Sequence, residues 1–481
     1  MDESRYITKF LANSGIVVND TKLIDDFSAD PKVLELANQI LYNQKIIMDK
    51  WKLNERVNTI NSLVFPVHNG TVGIKYYSKV DFIKLGLDDI VKFEFKGLEQ
   101  IGLSFDEKED AIVGIPIESG ETKVSFLFKI DGELDSDKLH EKIFSVIINP
   151  DPKTLWKNIE SDKNDPFWKE EDVFVSDKIG DKNIVIASKR GRSHANVGSF
   201  RDDDFAYKYF NNSGWTVVAV SDGAGSYPLS RKGSEIACST VVEYFEKYSD
   251  LELSKLFDEK LIEFNDSRNE ELLKEIELLA KKNLYKATVF VYEKLKAYAD
   301  QLSIDSPELF NNPKAKSPLD YFHSTLIFTL FKKFDFGYVV LTFGVGDCPI
   351  AIVNKDKTST TLLNWLDVGE FGGGTRFITQ PEIFHSESNP MITRFNFQIH
   401  TDFSYLFLMT DGIYDAKFVV EANLEKHEKW LEFISDLDGE NESKTLVEFN
   451  RENQNIGQQL SDWMNFWSPG NHDDRTLAII Y

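Results

Sequence analysis

Aspartate is the residue type whose placement in this chain could do chemistry. It recurs in Arg201-Asp202-Asp203-Asp204-Phe205, Val220-Ser221-Asp222-Gly223-Ala224-Gly225, Gly346-Asp347, Thr410-Asp411-Gly412 and His472-Asp473-Asp474-Arg475-Thr476. Most of these signatures fall where an apolar strand is expected to end. Carboxylates gathered at one pole of a sheet repel one another and raise one another's pKa unless a cation neutralises them. A donor set of oxygens with neither His nor Cys selects Mg²⁺ or Mn²⁺ over zinc or copper. The set therefore reads as a metal site. Two such ions sit about 3.5–4 Å apart, lower the pKa of a shared water and clamp phosphoryl oxygens for in-line attack. The acids of such a centre must come from separate strands, because neighbours on one strand face opposite ways.

Within the set, Asp222 ends the run Trp215-Thr216-Val217-Val218-Ala219-Val220 and is the first choice for a bridging ligand, with the Gly223 carbonyl as a neutral oxygen donor. Asp411 ends the apolar run from Tyr405 to Met409 in the same strand-Asp-Gly manner, and Asp473 precedes a final strand from Thr476 to Ile480. One Asp-Gly pair alone is an ordinary turn. The ordered set is not.

The elements that must position these acids are an alternation of strands and helices over residues 178–481. Ile184–Ala187, Thr325–Phe331, Tyr338–Phe343 and Pro349–Val353 read as further buried strands, and Ile236–Phe245 and Leu272–Ala299 as helices. This predicts an α+β sandwich. Ahead of it, residues 1–60 read as helical, with Asp30-Pro31 as N-cap and first helical position. Residues 61–135 read as short strands and glycine turns, and residues 136–177 as a linker carrying Pro150, Pro152 and Pro166, pinned to a surface by Trp156 and Trp168.

Composition removes other classes. A chain of 481 residues predicts two or three domains, and 42% hydrophobic with 13% aromatic residues predicts packed, β-rich cores. Lys plus Arg number 55 against 79 Asp plus Glu, a net charge of −24, which disfavours nucleic acid or an anionic membrane as partner. No basic start leads into an apolar run, so no secretory signal is expected, and no stretch has the roughly 20 apolar residues of a membrane helix. Cys238 and Cys348 fall within core elements and read as buried thiols in a reducing cytoplasm.

The motifs continue in order. Gly191-Arg192-Ser193-His194 leads to Arg201-Asp202-Asp203-Asp204-Phe205. Ser221-Asp222-Gly223-Ala224-Gly225-Ser226 is followed by Ser230, Gly233 and Ser234. Then come His323-Ser324-Thr325, Gly344-Val345-Gly346-Asp347, Gly369-Glu370-Phe371 with Thr375, Met409-Thr410-Asp411-Gly412 with Asp415, and Asp473-Asp474-Arg475-Thr476. On these residues the chain from 188 to 481 resembles the metal-dependent protein phosphatases of type two C, in their bacterial second subgroup. The resemblance implies a central β-sandwich flanked by α-helices and two Mg²⁺ or Mn²⁺ ions. It implies hydrolysis of phosphoserine or phosphothreonine without a phosphoenzyme. Asp222, Asp411 and Asp473 would hold the first ion, and Asp202, Asp222 and the Gly223 carbonyl the second. Asp203 would orient the water, and Asp347 with Asp411 and Asp415 would hold a weaker third ion. The partner implied is a phosphorylated protein, a kinase or its target, in bacterial signalling. Residues 61–135, through Asn69-Gly70-Thr71-Val72-Gly73, Gly102-Leu103-Ser104-Phe105-Asp106 and Ile112-Val113-Gly114-Ile115-Pro116, resemble a bacterial immunoglobulin-like repeat, implying a small all-β sandwich that binds or spaces within an N-terminal docking or regulatory half.

Two departures from the family pattern bear on the chemistry. The phosphate-gripping arginine has no single equivalent, which leaves Arg192, His194 and Arg201 as candidates; an arginine fork suits phosphate best, and His194 could instead donate a proton. Where other members carry a His after the Asp-Gly, this chain has Ala224. Lys189, Arg190, Arg192, Arg231 and Lys232 flank the first motifs as a basic rim that would attract a phosphorylated partner, and Gly369–Thr375 reads as a glycine-rich flap. The alternative reading is an inactive phosphatase fold that binds phosphoproteins.

Overall fold

The computed structural model describes residues 3–134, 136–248, 251–367, 374–387 and 390–481. Most of the expected flap, residues 369–373, lies outside the described residues. The chain divides into two compact units, Met1–Leu155 and Trp156–Tyr481.

The first unit opens with α1 (Glu3–Asn13), α2 (Thr21–Ser28) and α3 (Pro31–Ser62). The Asp30 side chain accepts from the Lys32 amide at 2.8 Å and Pro31 supplies the first helical φ, so α3 starts where capping chemistry requires. Seven strands follow: β1 (Gly70–Thr71), β2 (Tyr76–Lys79), β3 (Ile90–Lys96), β4 (Leu103–Asp106), β5 (Ala111–Gly114), β6 (Gly120–Ile130) and β7 (His140–Asn149). They form two sheets, β1-β7-β6-β3 and β2-β5-β4, over a core that includes Phe65, Phe95, Phe126 and Phe128. β7 corrects the expected linker. Residues 140–149 pair antiparallel with β6 and bury Lys142, Val146 and Ile148 in alternation, while the prolines that suggested an extended tether begin only at Pro150.

The second unit is mixed α+β. Its elements are β8 (Asp172–Ile179), β9 (Lys182–Lys189), α4 (Arg192–Val197), β10 (Asp204–Tyr209), β11 (Thr216–Ser221), α5 (Ser230–Glu243), α6 (Leu251–Ser267), α7 (Glu270–Asp305), β12 (Leu326–Phe334), β13 (Gly337–Val345), β14 (Ile350–Asn354), β15 (Thr360–Leu362), α8 (Glu382–His385), β16 (Phe395–His400), β17 (Phe403–Met409), α9 (Asp411–Phe418), α10 (His427–Leu437), α11 (Ile456–Trp463) and β18 (Arg475–Ile480). The strands make two antiparallel sheets, β10-β11-β12-β13-β16 and β15-β14-β17-β18-β9-β8. Their inner faces meet through Val218, Val220, Ile327, Ile186, Leu406 and Ala478. Helices α5, α6 and α7 cover the outside of the first sheet, and α9, α10 and α11 the outside of the second. Central strands are therefore wrapped on both faces, which is why β11 and β18 are continuous apolar runs with no buried–exposed alternation.

The rest of the expected linker is also structured. Residues 172–177 belong to β8, the Trp156 ring lies 4.4 Å from that of His472, and Trp168 Nε1 donates to Ser161 Oγ at 3.2 Å. Trp156 thus meets a residue beyond the segment, whereas the Trp168 bond stays within it.

Candidate metal centre

Register brings the acids together. Asp204 pairs with Ser221, so Asp202 and Asp203, just before β10, lie beside Asp222, just after β11. The Asp222 backbone is then fixed from β12: the Thr325 amide donates to the Asp222 carbonyl at 2.8 Å, and the Asp222 amide donates to Thr325 Oγ1 at 2.9 Å. Asp411 is the first residue of α9, directly after β17, and Asp473-Asp474 precede β18. The Thr410 amide donates to the Thr476 carbonyl at 3.0 Å, which holds those two strand ends side by side. Asp347 sits in the Gly346-Asp347-Cys348 turn between β13 and β14.

Two glycines allow this convergence. A β-carbon on Gly223 would come within 2.6 Å of the Asp202 carbonyl oxygen, and one on Gly412 within 1.9 Å of the Asp474 carbonyl oxygen. Only Gly permits backbones that close.

The carboxylates raise one another. Burial and the charges of Asp411, Asp203 and Asp473 push Asp222 well above the usual range; burial, Asp473 and Asp347 do the same to Asp411. Asp202 and Asp203 are each pushed to about 7, first by burial and then by Asp474. Burial also raises Asp347, Asp415 and, with Asp474, Asp473. Asp203 Oδ2 accepts from Thr410 Oγ1 and Thr476 Oγ1, each at 2.8 Å, while its Oδ1 is buried with no protein partner. Asp347 repeats the pattern: Oδ2 accepts from Thr375 Oγ1 at 2.7 Å, and Oδ1 is buried and unpartnered. Buried oxygens without donors, inside a ring of like charges, are what a hard cation satisfies. The donor set fits Mg²⁺ or Mn²⁺.

His and Cys are closer to this cluster than the sequence pattern suggested. Asp222, Asp347 and Cys348 present ligand atoms within 4.8 Å of one another, as do His194, Asp473 and Asp474. Burial beside Asp347 and Asp222 holds the Cys348 thiol protonated, and its Sγ lies 3.3 Å from Thr325 Oγ1, so it offers no thiolate. His194 Nδ1 lies 3.0 Å from both Asp474 oxygens, which leaves Nε2 facing Asp202 Oδ2 at 3.8 Å. Burial works to lower its pKa, but the bond to Asp474 and the charges of Asp474, Asp202 and Asp473 outweigh burial and hold it at about 9.

The other two basic candidates are engaged elsewhere. Arg201 is 3% exposed and donates to the carbonyls of Glu170 and Asp203 and to Ser188 Oγ; it is an internal brace, which corrects its candidacy as a phosphate clamp. Arg192 donates to the carbonyls of Phe466 and Asn465, and its ring neighbour is Trp467. The expected basic rim is likewise neutralised within the protein: Lys189 pairs with Asp172, Arg190 with Glu171, Arg231 with Asp165 and Lys232 with Glu235.

Sequence reasoning missed the residues that hold the acids in place. Asp474 accepts from the amides of Gly191 and Asp202 as well as from His194, and these bonds keep its pKa low although burial would raise it. The doubled Asp in Asp473-Asp474 was the available signal. Lys169, in the expected linker, is half-buried and donates to the Asp203 carbonyl at 2.7 Å and to Asp204 Oδ2 at 3.0 Å. Asp367 accepts from the Gly346 amide at 3.0 Å and is gripped by both Arg394 terminal nitrogens, which fixes the turn carrying Asp347.

Residues 190–463 match the family model described as protein phosphatase 2C, and the chain belongs to that family. Among solved structures, it is similar to a bacterial serine phosphatase (14% identity, covering 65% of this chain and 97% of that one, TM-score 0.33). It is also similar to the catalytic domain of the serine/threonine phosphatase PstP in complex with two manganese ions (13%, 62% and 96%, TM-score 0.35). A third is serine/threonine phosphatase Stp1 from Staphylococcus aureus (13%, 67% and 97%, TM-score 0.33). The family assignment rests on the matched residues, not on these likenesses. No curated protein matches the chain.

Proposed function

We propose that the second unit is a metal-dependent protein serine/threonine phosphatase acting on phosphoserine and phosphothreonine, with the first unit serving to dock or regulate. The observation that carries this reading is the set of Asp203, Asp222 and Asp411, the first buried and the other two half-buried, which raise one another's pKa while the Asp203 Oδ1 has no protein partner. Two divalent ions, when bound, supply positive charge for the phosphoryl oxygens and acidify water.

The chain's own residues have the following parts. Asp222, Asp411 and Asp473 would hold one ion, Asp202, Asp222 and the Gly223 carbonyl the other, and Asp347 with Asp411 and Asp415 would hold a weaker third. Asp203, its Oδ2 anchored by two threonine hydroxyls, keeps Oδ1 free to orient water. His194, held protonated against Asp474, carries the positive charge left at the cleft once Arg192 and Arg201 are engaged, and can supply a proton to the leaving oxygen. Among the described residues no helix is long and apolar enough to cross a membrane. The partner proposed is a phosphorylated protein.

The test is phosphate release from phosphoserine, phosphothreonine and phosphotyrosine peptides with Mn²⁺ or Mg²⁺. Asp222→Asn should abolish it at unchanged folding. Release that continues in excess chelator, or survives Asp222→Asn, rules the reading out.

A further inference from the structure

Asp202, Asp203 and Asp222 lie at one end of the five-stranded sheet, and the other end holds a second concavity. From the Asp204–Ser221 pair to the Tyr209–Thr216 pair the ladder runs five residues, about 17 Å at about 3.4 Å per residue. At the Lys208 and Tyr209 end of that ladder a cavity of about 450 Å³ opens between the outer face of the sheet, the π-helical turn Tyr244–Tyr248, α6 and α7. Its walls include Trp215, Phe245, Phe257, Leu279, Leu330 and Leu341. It falls in the size range of small-molecule sites, which are concave and mostly apolar with a few placed polar groups.

The polar groups at the mouth define what could enter. Lys208 and Glu246 neutralise each other at 2.5 Å, leaving no unpaired charge in the lining. The remaining polar side chains there, Asn211, Asn212, Ser213 and Asn283, are uncharged amides and a hydroxyl, with the Tyr209 phenol beside them. The Tyr244 hydroxyl donates to Asn283 Oδ1 at 3.3 Å, which orients that amide between the π-turn and α7.

We propose that this cavity binds an uncharged small molecule with an aromatic or fused-ring body and one or two hydrogen-bonding groups, the rings against Trp215 and Phe257 and the polar end at the asparagines. The site is separate from the acid cluster and does not depend on the activity proposed for it.

The uncharged fluorophore N-phenyl-1-naphthylamine, which brightens in apolar surroundings, is a suitable probe for the full-length chain. Saturable one-to-one binding is expected, with protection of residues 244–248 and 279–283 from hydrogen exchange. Ala280→Phe and Leu279→Trp, which fill the space, should each weaken binding about tenfold or more at unchanged circular dichroism. Absence of saturable binding, protection confined to other segments, or probe affinity unaltered in a folded filling variant overturns the proposal. If neither variant folds, the exchange footprint on the unmodified chain decides alone.

Discussion

Lys169 lies outside every motif, yet its ammonium joins the loop that carries Asp202 and Asp203 to the first turns of α5. Besides the Asp203 carbonyl and Asp204, it reaches the Arg231 carbonyl at 3.1 Å and Ser234 Oγ at 3.5 Å. Lys169→Met keeps the stem and removes the charge. Breaking one partner out of a buried pair costs about 3–5 kcal/mol, because the remaining charge is left uncompensated, and less where, as here, the two side chains stay 12% and 17% exposed. Asp204 would keep the Phe205 amide at 2.9 Å and the charge of Arg201, which places the loss near the low end, about 3 kcal/mol. For a unit running from Trp156 to Tyr481, about 2.1 cal/mol/K per residue gives an unfolding entropy of about 0.7 kcal/mol/K, hence a Tm lowered by about 4 °C. Calorimetry of the full-length chain should show that shift in the transition of the second unit alone. Adding Asp204→Asn should recover part of it, since the pair is coupled. A Tm unchanged by Lys169→Met, or strict additivity with Asp204→Asn, would refute the assignment of Lys169 as a brace of the acid loop.

Two further outcomes follow from the acid cluster. Asp202 and Asp203 have folded pKa values near 7, raised above the ordinary carboxylate value of 3.8, so the stability they contribute is present below about pH 4 and lost as pH rises through 7. The chelated protein should therefore melt lower at pH 8 than at pH 6, and Mn²⁺ should raise Tm more at pH 8; equal stabilisation at both pH values would contradict the shared-charge account. Gly412→Ala places a methyl group 1.9 Å from the Asp474 carbonyl oxygen, forcing α9 and Asp411 away from Asp473. Calorimetric Mn²⁺ titration should show affinity reduced by about tenfold or more, the scale on which misplaced supporting groups act, and wild-type affinity would show that the approach of these backbones is not required.

The site was more legible than its supports. Carboxylates at strand ends declare themselves by type, because few other uses bring so many acids to one pole of a sheet. Thr325, Thr410 and Thr476 do not, since threonine in a strand is ordinary and only register shows that its hydroxyl meets Asp222 or Asp203. Lys169 is invisible for a different reason: it lies 34 residues before Asp203, in a polar stretch that reads as a tether. Among the strands, the long apolar runs β9, β11, β13 and β17 were anticipated, whereas β10 was hidden by the acids at its start. β16 was not anticipated, although Phe395, Phe397 and Ile399 alternate plainly with Asn396, Gln398 and His400. β7 was lost to the prolines that follow it.

β18 lies between β17 and β9, although β9 is complete by residue 189 and β17 by residue 409. During synthesis both neighbours therefore exist for a time with bare Val-, Ile- and Phe-rich rims facing an empty slot, and such rims invite pairing with stray strands. Closing the slot joins segments nearly three hundred positions apart, which is slow. Asp473 and Asp474 arrive with the strand that closes it, so the acid cluster is incomplete until the sheet is sealed; completion of the fold and assembly of the candidate metal centre become a single event.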